Sequence, residues 1–136
     1  MSKSYFKSIE DSPKGCQFNA LTIINNLSFN EAGLIPVITQ DVNSKTVLMM
    51  AWMSISALRQ SLETGFMTYW SRSRNTLWKK GEISGNLQSI REFKIDCDGD
   101  ALLFLVDQTG PACHTGRQHC FYFSFEPETK SFVITS

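Results

Sequence analysis

Thiolates and imidazoles suit a borderline-soft ion such as zinc, and clustered carboxylates suit a hard ion such as magnesium. Between Asp96 and Cys120 this chain gathers three of its four cysteines, both of its histidines and the triplet Asp96, Asp98 and Asp100. Cys97, Cys113 and Cys120 are separated by fifteen and then six residues, so no Cys-x-x-Cys knuckle of the structural zinc type is present. Three thiolates leave a fourth position open for water, which favours a working zinc site over a scaffold site. Charge counting gives such a centre about −1, so it acidifies water less than zinc held by three neutral imidazoles. A separate base would help. His114, next to Cys113, is the natural candidate because an imidazole exchanges protons near neutrality, and His119 competes with it. Either histidine could instead be a fourth ligand.

Asp96, Asp98 and Asp100 alternate, so in an extended chain their carboxylates share one face and Cys97 points to the other. That arrangement offers an oxygen site for magnesium beside a sulfur site for zinc. A calcium EF-hand loop does not fit, because glycine stands at the fourth position and Asp107 where a bidentate Glu belongs. A third group is basic and aromatic. Ser71, Arg72, Ser73 and Arg74 can give forked, charge-assisted hydrogen bonds and hydroxyl donors to phosphate, and Lys79 and Lys80 follow, with Trp70 and Trp78 beside these cations. Gly81 and Gly85 in KKGEISG permit close backbone approach to a ligand, with Lys80 and Glu82 at the same place.

These groups must be positioned by a scaffold, and 136 residues suffice for one domain. With 42% hydrophobic and 19% charged residues the chain should fold. Thirteen basic and thirteen acidic residues cancel, so there is no global field for nucleic acid or an anionic membrane, and anion recognition must be local. The apolar runs are far shorter than the roughly 20 residues of a membrane span. The start MSKSYFKS lacks a signal-peptide core, so a cytoplasmic protein with reduced thiols is expected.

Residues 1–32 read as an N-terminal extension with one short helix, packed on a single domain spanning 33–136. Its Cys16 has no local partner and reads as a structural thiol. LIPVITQ and TVLMMAW form a hairpin about the turn DVNSK. SISALRQSLETGF forms a helix with Ile55, Leu58 and Leu62 on its apolar face, Ser54 or Ser56 as N-cap and Gly65 as terminator. MTYWS, REFKIDCD, ALLFLVDQ, FYFSF and SFVIT read as five further strands. Seven strands against one or two helices predict an α+β fold, a small, mainly antiparallel and barrel-like sheet.

Taken together, the words GLIPVITQD, VLMMAWM, TGFMTYWSRSRNTLWKKGEISGN, DCDGDALLFLVDQTGPACHTGR and CFY resemble the phosphoribosyl-AMP cyclohydrolases of histidine biosynthesis. The resemblance implies a hydrolase that opens the purine ring of N1-(5-phosphoribosyl)-AMP between N1 and C6. It implies an intertwined, zinc- and magnesium-dependent homodimer with zinc sites shared between subunits. Cys97 of one subunit and Cys113 and Cys120 of the other match the zinc ligands, Asp96, Asp98 and Asp100 the magnesium ligands, and His114 the histidine of CHTGR. Ser71, Arg72, Ser73, Arg74, Lys80, Glu82 and Gly85 fall in segments matched to substrate binding. Members usually continue CHTGR with Arg-Ser-Cys, whereas this chain has Gln118 and His119 before Cys120. About fourteen residues follow Tyr122, so a fused pyrophosphohydrolase is not expected. A nucleobase deaminase would need His-x-Glu and Pro-Cys-x-x-Cys, both missing. The alternative is a non-catalytic, zinc-stabilised module that binds a nucleotide or RNA.

Overall fold

The computed structural model describes residues 3–136, so the first two residues of the expected extension lie outside it. Two short helices, α1 (Lys3–Ile9) and α2 (Ala20–Asn25), precede the hairpin β1 (Ile35–Asp41) and β2 (Val47–Met53). Helix α3 (Ile55–Thr64) follows, then β3 (Thr68–Ser71), β4 (Thr76–Lys79), β5 (Gln88–Ile95), β6 (Leu102–Gln108), β7 (Phe123–Glu126) and β8 (Ser131–Ile134). Among the described residues there are thus three helices and eight strands, one of each more than the sequence reading allowed. The architecture is α+β, and no helix among these residues is long and apolar enough to cross a membrane.

Six strands form one curled sheet in the order β4-β3-β2-β1-β6-β5, while β7 and β8 pair apart from it. Every neighbouring pair is antiparallel except β1 with β6, which is parallel from Val37 opposite Leu102 to Asp41 opposite Val106. The curl brings the start of β3 toward β5. Phe66 bridges Ser89, the Met67 N–H donates to the Gln88 carbonyl at 3.0 Å and the Ile90 N–H to the Gly65 carbonyl at 2.8 Å. A half-barrel results.

Strand alternation fills its interior. Ile35, Val37 and Thr39 of β1 and Leu102, Phe104 and Val106 of β6 are buried, as period-two patterning requires. Thr39 is polar, and its burial is matched by a chain of hydrogen bonds. Its hydroxyl lies 2.7 Å from the Tyr69 Oη, which donates to Gln88 Oε1 at 2.6 Å, and Gln88 Nε2 donates to Gln108 Oε1 at 2.8 Å. Four strands are joined this way, and each side chain in the series finds a partner.

Helix α3 begins at Ser54, whose side chain accepts from the Ala57 N–H, and ends at Gly65 in the left-handed conformation. Its inward face differs from the sequence reading. Ala57, Leu58 and Ser61 are buried and Ile55 packs against the core, but Leu62 is exposed. Ser61 takes the inner position because its hydroxyl donates to the Ala57 carbonyl and accepts from the Thr68 N–H at 2.8 Å, tying α3 to β3. The N-terminal segment contributes Phe6 and Leu27 to the same core. Phe6 packs on Gly99, where a Cβ would overlap its ring, and the Ser28 N–H donates to the Gly99 carbonyl at 2.8 Å. The turn that carries the aspartates is thereby held from below.

Candidate active site

The aspartates lie on the β5–β6 turn. The Gly99 N–H donates to the Asp96 carbonyl at 3.1 Å, and the Asp96 carboxylate accepts from the backbone N–H of Asp100 and Ala101. Carboxylate oxygens of Asp96, Asp98 and Asp100 come within 4.8 Å of one another. They meet because the chain turns, not because an extended strand alternates them, which corrects the sequence reading of a shared strand face. Partial burial pushes the Asp96 carboxyl above its usual range, and hydrogen bonding with Asp100 adds to the shift. A hard divalent cation would relieve this crowding of negative charge, so the donor set fits magnesium.

The sulfurs come from the loop after β6. The Ala112 N–H donates to the Gln118 carbonyl and the Cys113 N–H to the Arg117 carbonyl, while the Cys120 N–H is strapped to Leu48 of β2 at 2.8 Å. This reversal brings the thiols of Cys113 and Cys120 within hydrogen-bonding reach of each other. Thr115 Oγ1 donates to Cys113 Sγ at 3.0 Å and lowers its pKa. Cys120 is exposed as a residue, yet the protein packed about its thiol pushes it up to about 11, with the charge of Cys113 adding to the shift. The two thiols are thus shifted in opposite directions, and a soft cation would compensate the charge of both thiolates. That pair suits zinc.

Cys97 stands on the aspartate turn, exposed, and does not converge with Cys113 and Cys120 within one chain: among the described residues only the aspartates meet as a set of three donors. Cys16 is exposed and belongs to no such set, so its thiol is not a core group.

A cavity of about 530 Å³ opens beside Cys113, with His114, Arg74, Trp78, Lys80 and Glu82 on its walls. His114 is exposed at this cavity, whereas His119 Nδ1 accepts from the Phe121 N–H at 3.2 Å and steadies the loop. Gly85 itself does not line this cavity but stands between Ser84 and Asn86, which do. Its N–H closes a turn on the Gly81 carbonyl at 2.8 Å, and the space around its Cα is open. At Gly81 the close approach is made by the backbone of Asn86 and not by a ligand, so only glycine fits there.

Arg72, Ser73, Arg74 and Asn75 form the β3–β4 turn at the sheet edge. Ser71 Oγ accepts from the Arg74 backbone N–H at 3.3 Å, and the Arg72 guanidinium lies 5.0 Å over the Trp52 ring. A second recess of about 470 Å³ is bounded by Trp52, Trp70 and the run Ser71 to Arg74. Arg74 and Trp78 belong to both cavities, so the two are neighbours. Sequence reasoning missed Thr115 and Trp78 as site residues. Each sits inside a word it had singled out.

Lys80 stands apart from the other cations. Its ammonium donates to the Ala112 carbonyl at 2.6 Å and lies 5.4 Å over the Trp78 ring. Burial lowers its pKa, and the charges of Cys120 and Cys113 oppose that shift.

The family model described as phosphoribosyl-AMP cyclohydrolase matches residues 49–122, a stretch that includes the sulfur loop, the aspartate turn and both cavities. A phosphoribosyl-AMP cyclohydrolase of Hydrogenovibrio crunogenus is 53% identical over 117 residues, covering 86% of this chain and 80% of that protein. One from Alcanivorax borkumensis is 54% identical over 87% of this chain and 83% of its own length. One from Archaeoglobus fulgidus reaches 60% over 74% of this chain and 93% of its own. Matches of this extent over the residues that build the site leave one conclusion: the chain belongs to the phosphoribosyl-AMP cyclohydrolase family.

Proposed function

We propose that this protein hydrolyses N1-(5-phosphoribosyl)-AMP in the cytoplasm, opening the purine ring between N1 and C6, as a zinc- and magnesium-dependent homodimer. The observation that carries the reading is the placing of His114 on the wall of one cavity with Cys113 and Arg74.

The residues divide the work. Cys113 and Cys120 of one subunit, with Cys97 of the other, would hold zinc, whose Lewis acidity makes a water at the site easier to deprotonate. Asp96, Asp98 and Asp100 would hold magnesium, a counter-charge for phosphate. His114 takes the proton from the water that adds to C6, and it can return that proton to N1 as the C6–N1 bond breaks. C6 stays on the imidazole ring as a carboxamide carbon, and N1 departs from it carrying the proton. Arg72 and Arg74, with Ser71 and Ser73, anchor a phosphate at the neighbouring recess, and Glu82 and the open backbone at Gly85 receive a ribose. Anchoring both arms fixes the reacting carbon, which is where most of the gain from positioning arises.

Two features support a dimer. A single chain brings only two of the three sulfurs together. The β7–β8 hairpin also presents Phe123, Phe125, Phe132 and Ile134 on one face, since Phe123 pairs with Ile134 and Phe125 with Phe132, and all four are exposed. A face of that composition is expected to be covered by a second copy.

The test is to mix purified protein with phosphoribosyl-AMP and follow ring opening in the ultraviolet. Turnover should stop on chelation and return with zinc and magnesium. A protein that consumes no substrate with both ions present would refute the reading.

A further inference from the structure

Lys80 is grouped by sequence with the substrate-facing cations, but its surroundings differ from theirs. It follows β4, and its own N–H is fixed to the Met67 carbonyl at 3.1 Å. Its ammonium reaches across to the sulfur loop, donating at 2.6 Å to the carbonyl of Ala112, the residue before Cys113. Arg72, by contrast, is exposed over Trp52, and Lys79 lies 5.4 Å over Phe66. Lys80 is partly buried and, among the described residues, forms no ion pair with a carboxylate. A partly buried cation without a carboxylate needs another counter-charge. The thiols of the loop it grips can supply that charge once ionised: Cys113 shares the cavity wall with Lys80 and follows Ala112, the residue Lys80 holds.

Loading the site makes that relation stronger. Two or three thiols that enter neutral become thiolates, and three thiolates around one zinc ion leave a net charge of about −1 by simple counting. A fixed positive charge beside them favours the loaded state. The hydrogen bond to Ala112 adds a geometric effect, because it ties the sulfur loop to the strand that walls the cavity.

We propose that Lys80 is a positioning residue for the metal, the built-in counter-ion of the Cys113 and Cys120 thiolates and the anchor of their loop, and not a contact to substrate. The inference rests on the zinc reading above.

The test uses the full chain and zinc itself, in competition with a chromophoric chelator, alongside steady-state kinetics at saturating zinc. Lys80→Met should weaken zinc binding about 10–100-fold, the range seen when an outer partner of a metal site is removed. Lys80→Gln keeps a donor but no charge and should lose nearly as much, while Lys80→Arg restores most of the affinity. With zinc saturating, KM should stay within about threefold in all three, a split that substrate binding by Lys80 would reverse. Zinc affinity unchanged in Lys80→Met and Lys80→Gln, or a raised KM as the main effect, overturns the proposal. If Lys80→Met does not fold, Lys80→Gln and Lys80→Arg decide alone, since they differ in charge. A wild-type protein that binds no zinc would instead sink the metal reading and this inference with it.

Discussion

His114 and His119 lie five positions apart on one loop and are placed for different work. Nδ1 of His119 is occupied by the Phe121 N–H, which fixes its tautomer with the proton on Nε2, whereas His114 faces the cavity. His114→Ala should therefore keep zinc, measured by metal analysis, and lose turnover by about 10²–10⁴-fold, the range for removing a general base. Cys113→Ala should lose zinc and turnover together. A His114→Ala protein with undiminished kcat would remove this residue from the base role. The types of the site residues were legible in the sequence because thiols, imidazoles and carboxylates declare their chemistry wherever they stand. Their partners were not. That Lys80 reaches Ala112, or that Thr115 donates to Cys113, depends on how one loop reverses and which strand lies beside it.

The strands that carry β-branched and aromatic runs, β1, β2, β5 and β6, were readable from composition and alternation. β4 was not, since its four residues TLWK follow a turn with Asn75 at φ 55° and sit among cations that read as a patch. Nor could local pattern show that β1 lies parallel to β6, or that Ser61 replaces Leu62 on the buried face of α3. Such choices are settled by hydrogen-bond partners far away in sequence. The chain Thr39–Tyr69–Gln88–Gln108 is the clearest case. Tyr69→Phe would strip Gln88 Oε1 and Thr39 of a buried partner and should cost about 1–3 kcal/mol in urea denaturation at pH 7. Burial raises the Tyr69 pKa above its ordinary 10.0 in the folded state. The unfolded chain thus releases this proton first, and stability present below about pH 10 falls as pH rises above it. Tyr69→Phe should flatten that alkaline decline, and an equally steep decline in the variant would show that Tyr69 does not cause it.

At the scale of the whole molecule, the proposed zinc site would take Cys97 from another copy, whereas the three aspartates already meet within one chain. Subunits carrying Cys97→Ala and Cys113→Ala should each be inactive alone. Co-refolded in equal amounts, half the dimers are mixed and each has one intact site of two, so about a quarter of wild-type activity should return. No recovery would place all three sulfurs in one chain or dispense with one of them. The resemblance made sharing an expectation, but the sequence itself carries no mark of which thiol goes astray.

The parallel pairing of β1 with β6 has a consequence for how such a molecule is made. β1 pairs with β2 across a short turn and can do so as soon as residue 53 has been synthesised, while its other edge waits for residues 102–106. Closing that distance is entropically slow, and an unpaired central edge invites another chain to add to it. The hazard of misassembly therefore belongs chiefly to the nascent polypeptide, before β6 arrives to seal the middle of the sheet.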